Sequence, residues 1–192
     1  MTHYQEITLM PCDEVGLYFL WEKVYTQLHL GFVEHKDEQQ NVPVGVSFPE
    51  YHQRGLGKKI RLFGSENHLQ SFDAKERLSR LEDYVHIKTI KQIPQKVNYY
   101  TSFQRFRIKM NSQTLIKRHA KRHNLSIEAA TKKYEGFEPD KTNLPYIELT
   151  SLSKGNRFKL FIKTVTSKEI THNGFGRYGL SKNNKPTSIP MF

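Results

Sequence analysis

The sequence has 192 residues, 36% of them hydrophobic and 12% aromatic, and carries a formal net charge of +11. This composition allows one compact domain or two small ones and excludes a chain that is disordered throughout. The single cysteine, Cys12, excludes an internal disulfide framework, and the longest strongly apolar run is far shorter than the roughly 20 residues of a membrane span. We therefore expect a cytoplasmic protein with no membrane partner, because its first residues also lack the basic start of a secretory signal.

The first 94 residues alternate between strand and helix patterns. The predicted strands cover residues 4–10, 42–48, 59–63 and 85–93. One predicted helix begins after Asp13 and ends at Gly31, and a second helical stretch surrounds residues 78–85. This β-α-β-β-α-β order is that of a ferredoxin-like (RRM-like) domain. We predict an α+β fold whose first domain spans residues 1–94.

Residues 95–192 are predicted to form a smaller α+β domain that exposes a basic helix. A linker at residues 94–100 leads to a strand at 104–110, with Arg105, Arg107 and Lys109 on one side. The remaining predictions are a helix at 111–123, strands at 146–149 and 158–165, and a Gly- and Asn-rich tail at 171–192.

Positive charge is concentrated in one part of the chain. Residues 84–127 contain ten Lys or Arg and no Asp or Glu. On a helix with about 100° per residue, four of these cations share one side; they are Lys117, Arg118, Lys121 and Arg122. A solvated basic face is the alternative, but such a face usually also carries acids, so we predict a nucleic-acid-binding helix. Arg105 and Arg107 are placed to reach base edges.

Few residues point to a specific reaction. A neutral imidazole suits proton abstraction near pH 7, and His29 lies near the end of the first predicted helix. The sequence alone leaves open that His29 is only structural. His119 and His123 have the spacing of a metal-binding pair, but no third ligand accompanies them. The glycines of residues 174–179 match a dinucleotide fingerprint only by letter, because no helix or acidic residue follows. We predict neither a metal nor a cofactor.

Several short motifs, in their order and spacing, resemble those of the CRISPR-associated endoribonucleases of type I-F systems. These enzymes cut repeat RNA into guide RNAs. The similarity runs over nearly the whole chain. The motifs are His3-Tyr4, Leu28-His29, residues 45–49 (GVSFP), residues 121–126 (KRHNLS), Ser151-x-Ser153-x-Gly155, residues 157–162 (RFKLFI), residues 174–182 (GFxxYGLSK) and Phe192.

The resemblance implies a site and a mechanism. It makes His29 the general base for a metal-free cleavage at the 3′ base of an RNA hairpin, through attack by a ribose 2′-OH. It implies that Ser151 holds that ribose, with Ser153 as a further RNA-binding residue. Tyr178 supports the histidine on this interpretation, and Phe158 stacks under the terminal base pair. The arginine-rich helix would dock in the major groove at the end of the hairpin, where the groove opens.

The chain also departs from the family pattern. Arg107 stands where the family typically has Gln, so we expect a different base preference, most simply guanine. Ile116 and His119 dilute the basic helix. We expect the protein to remain on its product with other subunits of a type I-F surveillance complex. The alternatives are a subunit that holds the hairpin without cutting it, and a general basic RNA-binding protein without hairpin preference.

Overall fold

The structure is a computed structural model. It describes residues 1–108, 112–135, 141–151, 155–167 and 170–192. Two predicted RNA-binding residues, Lys109 and Ser153, lie outside the described residues. The chain divides into two compact units, one made of Met1–Phe106 with Leu144–Phe192 and the other of Arg107–Asn143.

In the residues that the structure describes, the first unit contains two antiparallel sheets and three α-helices. The first sheet is built from β1 (His3–Leu9), β2 (Gly45–Ser47), β3 (Lys59–Gly64), β4 (Val85–Ile87) and β5 (Lys91–Gln92). Its helices are α1 (Leu17–Glu34), α2 (Glu66–Phe72) and α3 (Ala74–Arg77), followed by a 3₁₀ helix at Ser79–Tyr84. The second sheet is built from β6 (Tyr99–Phe106), β7 (Tyr146–Thr150), β8 (Arg157–Ser167) and β9 (Ile189–Met191).

The strand order of the first sheet is β2-β3-β1-β4, and β5 also pairs with β1. All of these pairs are antiparallel. Together with the chain order of strands and helices, this arrangement confirms the predicted ferredoxin-like α+β fold. The predicted domain boundary at residue 94 falls between the last strand of the first sheet and the first strand of the second, and it stays a prediction.

Helix α1 differs from its prediction at both ends. Residues 12–15 form a turn closed by reciprocal hydrogen bonds between Cys12 and Val15, so the helix begins only after Gly16. Gly31 does not end the helix, which continues to Glu34. It is buried, and a Cβ at this position would lie 2.7 Å from both the Phe72 ring and Nε of Arg77. Gly31 is therefore required for close packing rather than for chain termination.

The predicted strand at residues 42–48 is mostly not a sheet strand. Its alternating apolar side chains are all buried; they are Val42, Val44, Val46 and Phe48. However, only Gly45–Ser47 pairs with β3. Val42 and Val46 instead donate backbone hydrogen bonds of 2.9 Å to the carbonyls of Phe175 and Gly179. We call residues 175–181 the tail segment. The alternation of apolar residues therefore indicated which side chains are buried. The tail segment supplies the backbone hydrogen-bond partners that a neighbouring strand would otherwise provide.

The other predictions also need correction at their boundaries. The predicted strand at 85–93 is interrupted and forms β4 and β5. Strand β6 begins at Tyr99, inside the predicted linker, and ends at Phe106. The predicted strand continues to residue 110, but residues 107 and 108 are not part of a strand, so the prediction is wrong for these two residues. In the second sheet the order is β7-β8-β6-β9, and Arg105 pairs with Ile162.

The second unit contains two described helices, α4 (Ser112–His123) and α5 (Ile127–Lys132). Asn124 ends α4 in the left-handed conformation with φ of 52°, and the Leu125 N–H donates to the carbonyl of Ala120. Ser126 caps α5 by accepting a hydrogen bond from the Ala129 N–H. The alanines Ala120 and Ala130 are buried.

A buried ion-pair cluster joins the first sheet to the last residue. Glu6 is 4% exposed, and its carboxylate lies 2.8 Å from Arg61 and 2.7 Å from Lys88. Arg61 also donates to the backbone carbonyl of Phe192 at 2.9 Å. Burial raises the pKa of Glu6, but the hydrogen bonds from Lys88 and Arg61 outweigh burial and hold it below its ordinary value.

We predict that Glu6→Gln lowers the free energy of unfolding by about 3 kcal/mol at pH 7, because it leaves Arg61 partly buried without its anion. A carboxyl with a lowered folded pKa contributes stability above the unfolded pKa and loses it as the pH falls through the folded pKa. The wild-type protein should therefore lose this stabilisation as the pH falls below 4.5, the ordinary pKa of the Glu6 carboxyl. The free energy of unfolding of the variant should fall less over the same range.

Urea unfolding between pH 3 and pH 7 measures both effects. The matched control is Glu50→Gln, because Glu50 pairs with Lys59 at 3.2 Å where both side chains are 39% exposed. Exposed pairs contribute about 1 kcal/mol or less. Equal losses in the two variants would contradict the importance of the buried cluster.

Candidate active site

His29 lies on α1 and is half-buried, with its ring nitrogen Nδ1 2.8 Å from the backbone carbonyl of Arg177. A carbonyl only accepts hydrogen bonds, so Nδ1 carries the proton in the neutral imidazole. The other ring nitrogen, Nε2, then holds a lone pair. The tail segment thus selects the tautomer in which His29 accepts a proton through Nε2.

Tyr178 stacks on this imidazole. The ring centroids lie 4.4 Å apart with an interplanar angle of 14°. A turn positions the tyrosine: the Gly179 N–H donates to the carbonyl of Gly176 at 2.8 Å, and Gly179 has φ of +66°. A Cβ on Gly179 would lie 2.8 Å from the Phe32 ring, so only glycine fits this tight turn against α1.

The surroundings of His29 favour its neutral form. Burial lowers the pKa of His29, and the positive charges of Arg105 and Arg177 lower it further. The hydrogen bond to the Arg177 carbonyl raises the pKa of His29 but does not compensate for these effects. The net pKa lies below the ordinary value of 6.5. His29 is therefore predominantly a neutral base at pH 7.

Phe158 and Arg105 complete the group around Tyr178. The rings of Phe158 and Tyr178 meet edge to face with centroids 6.4 Å apart. The guanidinium carbon of Arg105 lies 5.1 Å from the Tyr178 centroid and 5.5 Å from the Phe158 centroid. Arg105 pairs with Ile162, and Phe158 lies four residues before Ile162 on the same strand, so the side chains of Arg105 and Phe158 project from the same face of the sheet.

Ser151 directly follows the end of β7. Its N–H donates to the carbonyl of Asn156 at 2.9 Å, and its own carbonyl accepts from the Gly155 N–H at 2.7 Å. The hairpin that carries Ser151 therefore also carries Phe158. Arg157 links this hairpin to α1, with contacts of 3.2 Å to Glu22 and 3.3 Å to Glu148.

The predicted basic residues that the structure describes in the second unit are exposed; they are Arg107, Lys117, Arg118, Lys121 and Arg122. Strand β6 ends at Phe106, one residue before Arg107. The predicted strand alternation that would place Arg107 on the same side as Arg105 therefore does not apply. The His119 and His123 rings lie 4.4 Å apart. Among the described residues, no group of three His, Cys, Asp or Glu side chains is placed to hold a metal ion.

Sequence reasoning missed one residue of this site. Tyr25 precedes His29 by one helical turn, and its hydroxyl donates to the backbone carbonyl of Tyr178 at 2.8 Å. The signal was present in the sequence, since residues four apart on a helix lie on the same face. The tyrosine was overlooked because it lies within a run of apolar core residues.

The described helices include none that is both long enough and apolar enough to cross a bilayer.

Comparison with known proteins matches the chain to one family. A family model described as "CRISPR-associated protein (Cas_Csy4)" matches residues 4–192. A protein of Escherichia coli (strain UTI89 / UPEC) named CRISPR-associated endonuclease Cas6/Csy4 is 31% identical over 195 residues, covering 100% of both chains. Its namesake in Pseudomonas aeruginosa (strain UCBPP-PA14) is 31% identical over 188 residues, covering 95% of this chain and 96% of the relative.

These matches confirm the resemblance seen in the sequence, and both relatives are named for the enzyme class predicted for this chain, an endonuclease. The protein belongs to the Cas_Csy4 family of CRISPR-associated proteins.

Proposed function

We propose that the protein is an endoribonuclease that binds the stem-loop of CRISPR repeat RNA and cuts the precursor at the 3′ base of the stem. The observation that carries this proposal is the His29 imidazole, which has its proton directed to the Arg177 carbonyl and its Nε2 lone pair available. Family membership supplies the substrate class.

In the proposed reaction, Nε2 of His29 removes the proton from the ribose 2′-OH next to the scissile phosphate. The 2′ oxygen attacks the phosphorus in line, and the bond from phosphorus to the 5′ oxygen breaks. The leaving 5′ oxygen takes a proton from water, and His29 returns its proton to the solvent. The products are a 2′,3′-cyclic phosphate and a 5′-OH. The nucleophile belongs to the substrate, so alignment by the protein supplies much of the rate and we propose that no metal is required.

The neighbouring residues have distinct proposed roles. Phe158 stacks under the terminal base pair of the stem, and Ser151 holds the ribose whose 2′-OH reacts. Tyr178 fixes the plane of the imidazole through the stacking described above. Ser153 and Lys109 contribute further RNA contacts. Residues 1–94 would thus carry the general base, and residues 95–192 would bind the hairpin.

RNA binding is supported by the charge of the second unit. Helix α4 contains no acidic residue, and its exposed cations are Lys117, Arg118, Lys121 and Arg122. We propose that they bind phosphates of the stem, while Arg105 and Arg107 contact bases. The protein then stays on its product in the cytoplasm, as part of a type I-F surveillance complex.

We predict that His29→Ala slows cleavage of a labelled repeat hairpin in EDTA by about 10²–10⁴-fold, because it removes the general base. A 2′-deoxy substitution at the scissile nucleotide should block cutting by the wild type. The matched control is His86→Ala, which removes an exposed histidine on β4; this variant should cut the hairpin at the wild-type rate. Tight hairpin binding without any cutting would instead indicate a holding subunit, and equal binding of all RNAs would indicate a general basic protein.

The pH dependence of cleavage tests the protonation state of His29. We predict that the single-turnover rate rises with pH through the lowered pKa and is already level at pH 7, because the base acts in its deprotonated form and its pKa lies below 6.5. A rate that still increases tenfold per pH unit above pH 7 would contradict this assignment.

Arg107→Gln tests base recognition. We predict that this substitution changes which base pair is preferred at one position of the stem. The difference in binding free energy between stem variants at that position should change by about 1–3 kcal/mol, because Gln offers a donor and an acceptor where Arg offers two donors. Binding to a panel of stem variants measures the change. A uniform loss of affinity across the panel would show that Arg107 contacts only the backbone.

A further inference from the structure

We propose that Tyr25 is a positioning residue of the active site, whose hydroxyl holds the Tyr178–Gly179 peptide, next to the Arg177 carbonyl, so that His29 keeps its proton on Nδ1. This inference rests on the proposed function, because it assigns a role in the same reaction. It concerns a side chain that is buried in the core and does not reach the RNA.

The geometry is a two-point clamp. Tyr25 and His29 lie one turn apart on α1, and they donate to successive backbone carbonyls of the tail segment. The Tyr25 hydroxyl lies 2.8 Å from the carbonyl of Tyr178, and His29 Nδ1 lies 2.8 Å from the carbonyl of Arg177. These carbonyls belong to the two consecutive peptide units on either side of the Tyr178 Cα. The joint orientation of the two units therefore determines both where Nδ1 finds its acceptor and where the Tyr178 ring meets the imidazole.

Tyr25 is a rigid support for this clamp. Its side chain is fully buried, and its ring packs on Phe48 with centroids 6.2 Å apart and on Trp21 with centroids 6.5 Å apart. Trp21 is itself fixed by a 3.0 Å hydrogen bond from its indole N–H to the carbonyl of Gly57. Burial raises the pKa of Tyr25 well above its ordinary value, so the hydroxyl remains a donor across the working pH range.

Removing the hydroxyl should affect the histidine through the backbone. The Tyr178 carbonyl would lose a buried partner, and the Tyr178–Gly179 peptide that contains it would rotate toward another. The Arg177 carbonyl belongs to the preceding peptide and would move with it. His29 would then populate the tautomer with the proton on Nε2, which cannot accept the proton of the 2′-OH.

The test compares two tyrosine-to-phenylalanine variants. Tyr25→Phe removes the clamp, and Tyr51→Phe removes a similar bond elsewhere, since the Tyr51 hydroxyl donates to the carbonyl of Ile162 at 3.0 Å. We expect Tyr25→Phe to slow single-turnover cleavage about tenfold, because only a minor part of the His29 population would keep the tautomer that accepts a proton at Nε2. Affinity for an uncleavable 2′-deoxy hairpin should stay within about twofold. Tyr51→Phe should cut at the wild-type rate.

The ring-nitrogen chemical shifts of His29, measured by NMR without RNA, give a readout that overall stability does not move. We expect the Nδ1-protonated form in the wild type and in Tyr51→Phe, and a mixture of tautomers in Tyr25→Phe. Replacing Tyr25 by 4-aminophenylalanine restores a donor and should restore both the rate and the tautomer; this variant also keeps the test available if Tyr25→Phe folds poorly.

Wild-type cleavage and wild-type tautomer in folded Tyr25→Phe would overturn the inference, as would equal slowing in Tyr51→Phe. Loss of hairpin affinity in parallel with rate would overturn it too, since that pattern describes general loosening. If the wild type cuts no RNA, the proposed function fails, while the NMR comparison still decides whether Tyr25 sets the His29 tautomer.

Discussion

The backbone pairing of the tail segment is the constraint on which the rest of the site depends. Its residues hydrogen-bond on one side to Val42 and Val46, and on another to strand β6, where the Ser181 N–H donates to the carbonyl of Phe103 at 2.8 Å. Both sheets of the first unit thus hold the same short stretch of chain. Tyr178 is fixed between these anchor points, and a conformationally irregular segment gains the precision that regular strands usually provide.

Charge and burial act on His29 in the same direction. Burial and the positive charges of Arg105 and Arg177 lower the pKa of His29 and so favour its neutral form. A neutral imidazole is what the proposed role of general base requires. The same cations would attract the phosphate that the proposed reaction cleaves. The need for a neutral base and the need for an anion-binding pocket are therefore met by one arrangement of side chains. An acidic partner for His29 would have raised its pKa and repelled the RNA.

The sequence predicted what local periodicity encodes. The order of elements, the ferredoxin-like topology and the basic character of α4 follow from alternation, helical spacing and charge runs. Gly31 was mistaken for a helix terminator because packing by Phe72 and Arg77 is a long-range property. The alternation of residues 42–48 indicated burial correctly but could not show that the tail segment replaces a strand as hydrogen-bond partner. His29 was one of nine histidines until a family resemblance singled it out. The two-point clamp involves residues about 150 positions apart, which no spacing rule connects.

That separation has a consequence in time. The His29 ring and the carbonyl that fixes its proton are 148 residues apart in the sequence. At typical synthesis rates the ribosome needs on the order of 10 s to travel between them. A nascent chain that already contains the histidine thus lacks the acceptor that fixes its tautomer, and long-range pairing of this kind forms late in folding. The proposed active site is therefore complete only after most of the chain has been synthesised and folded.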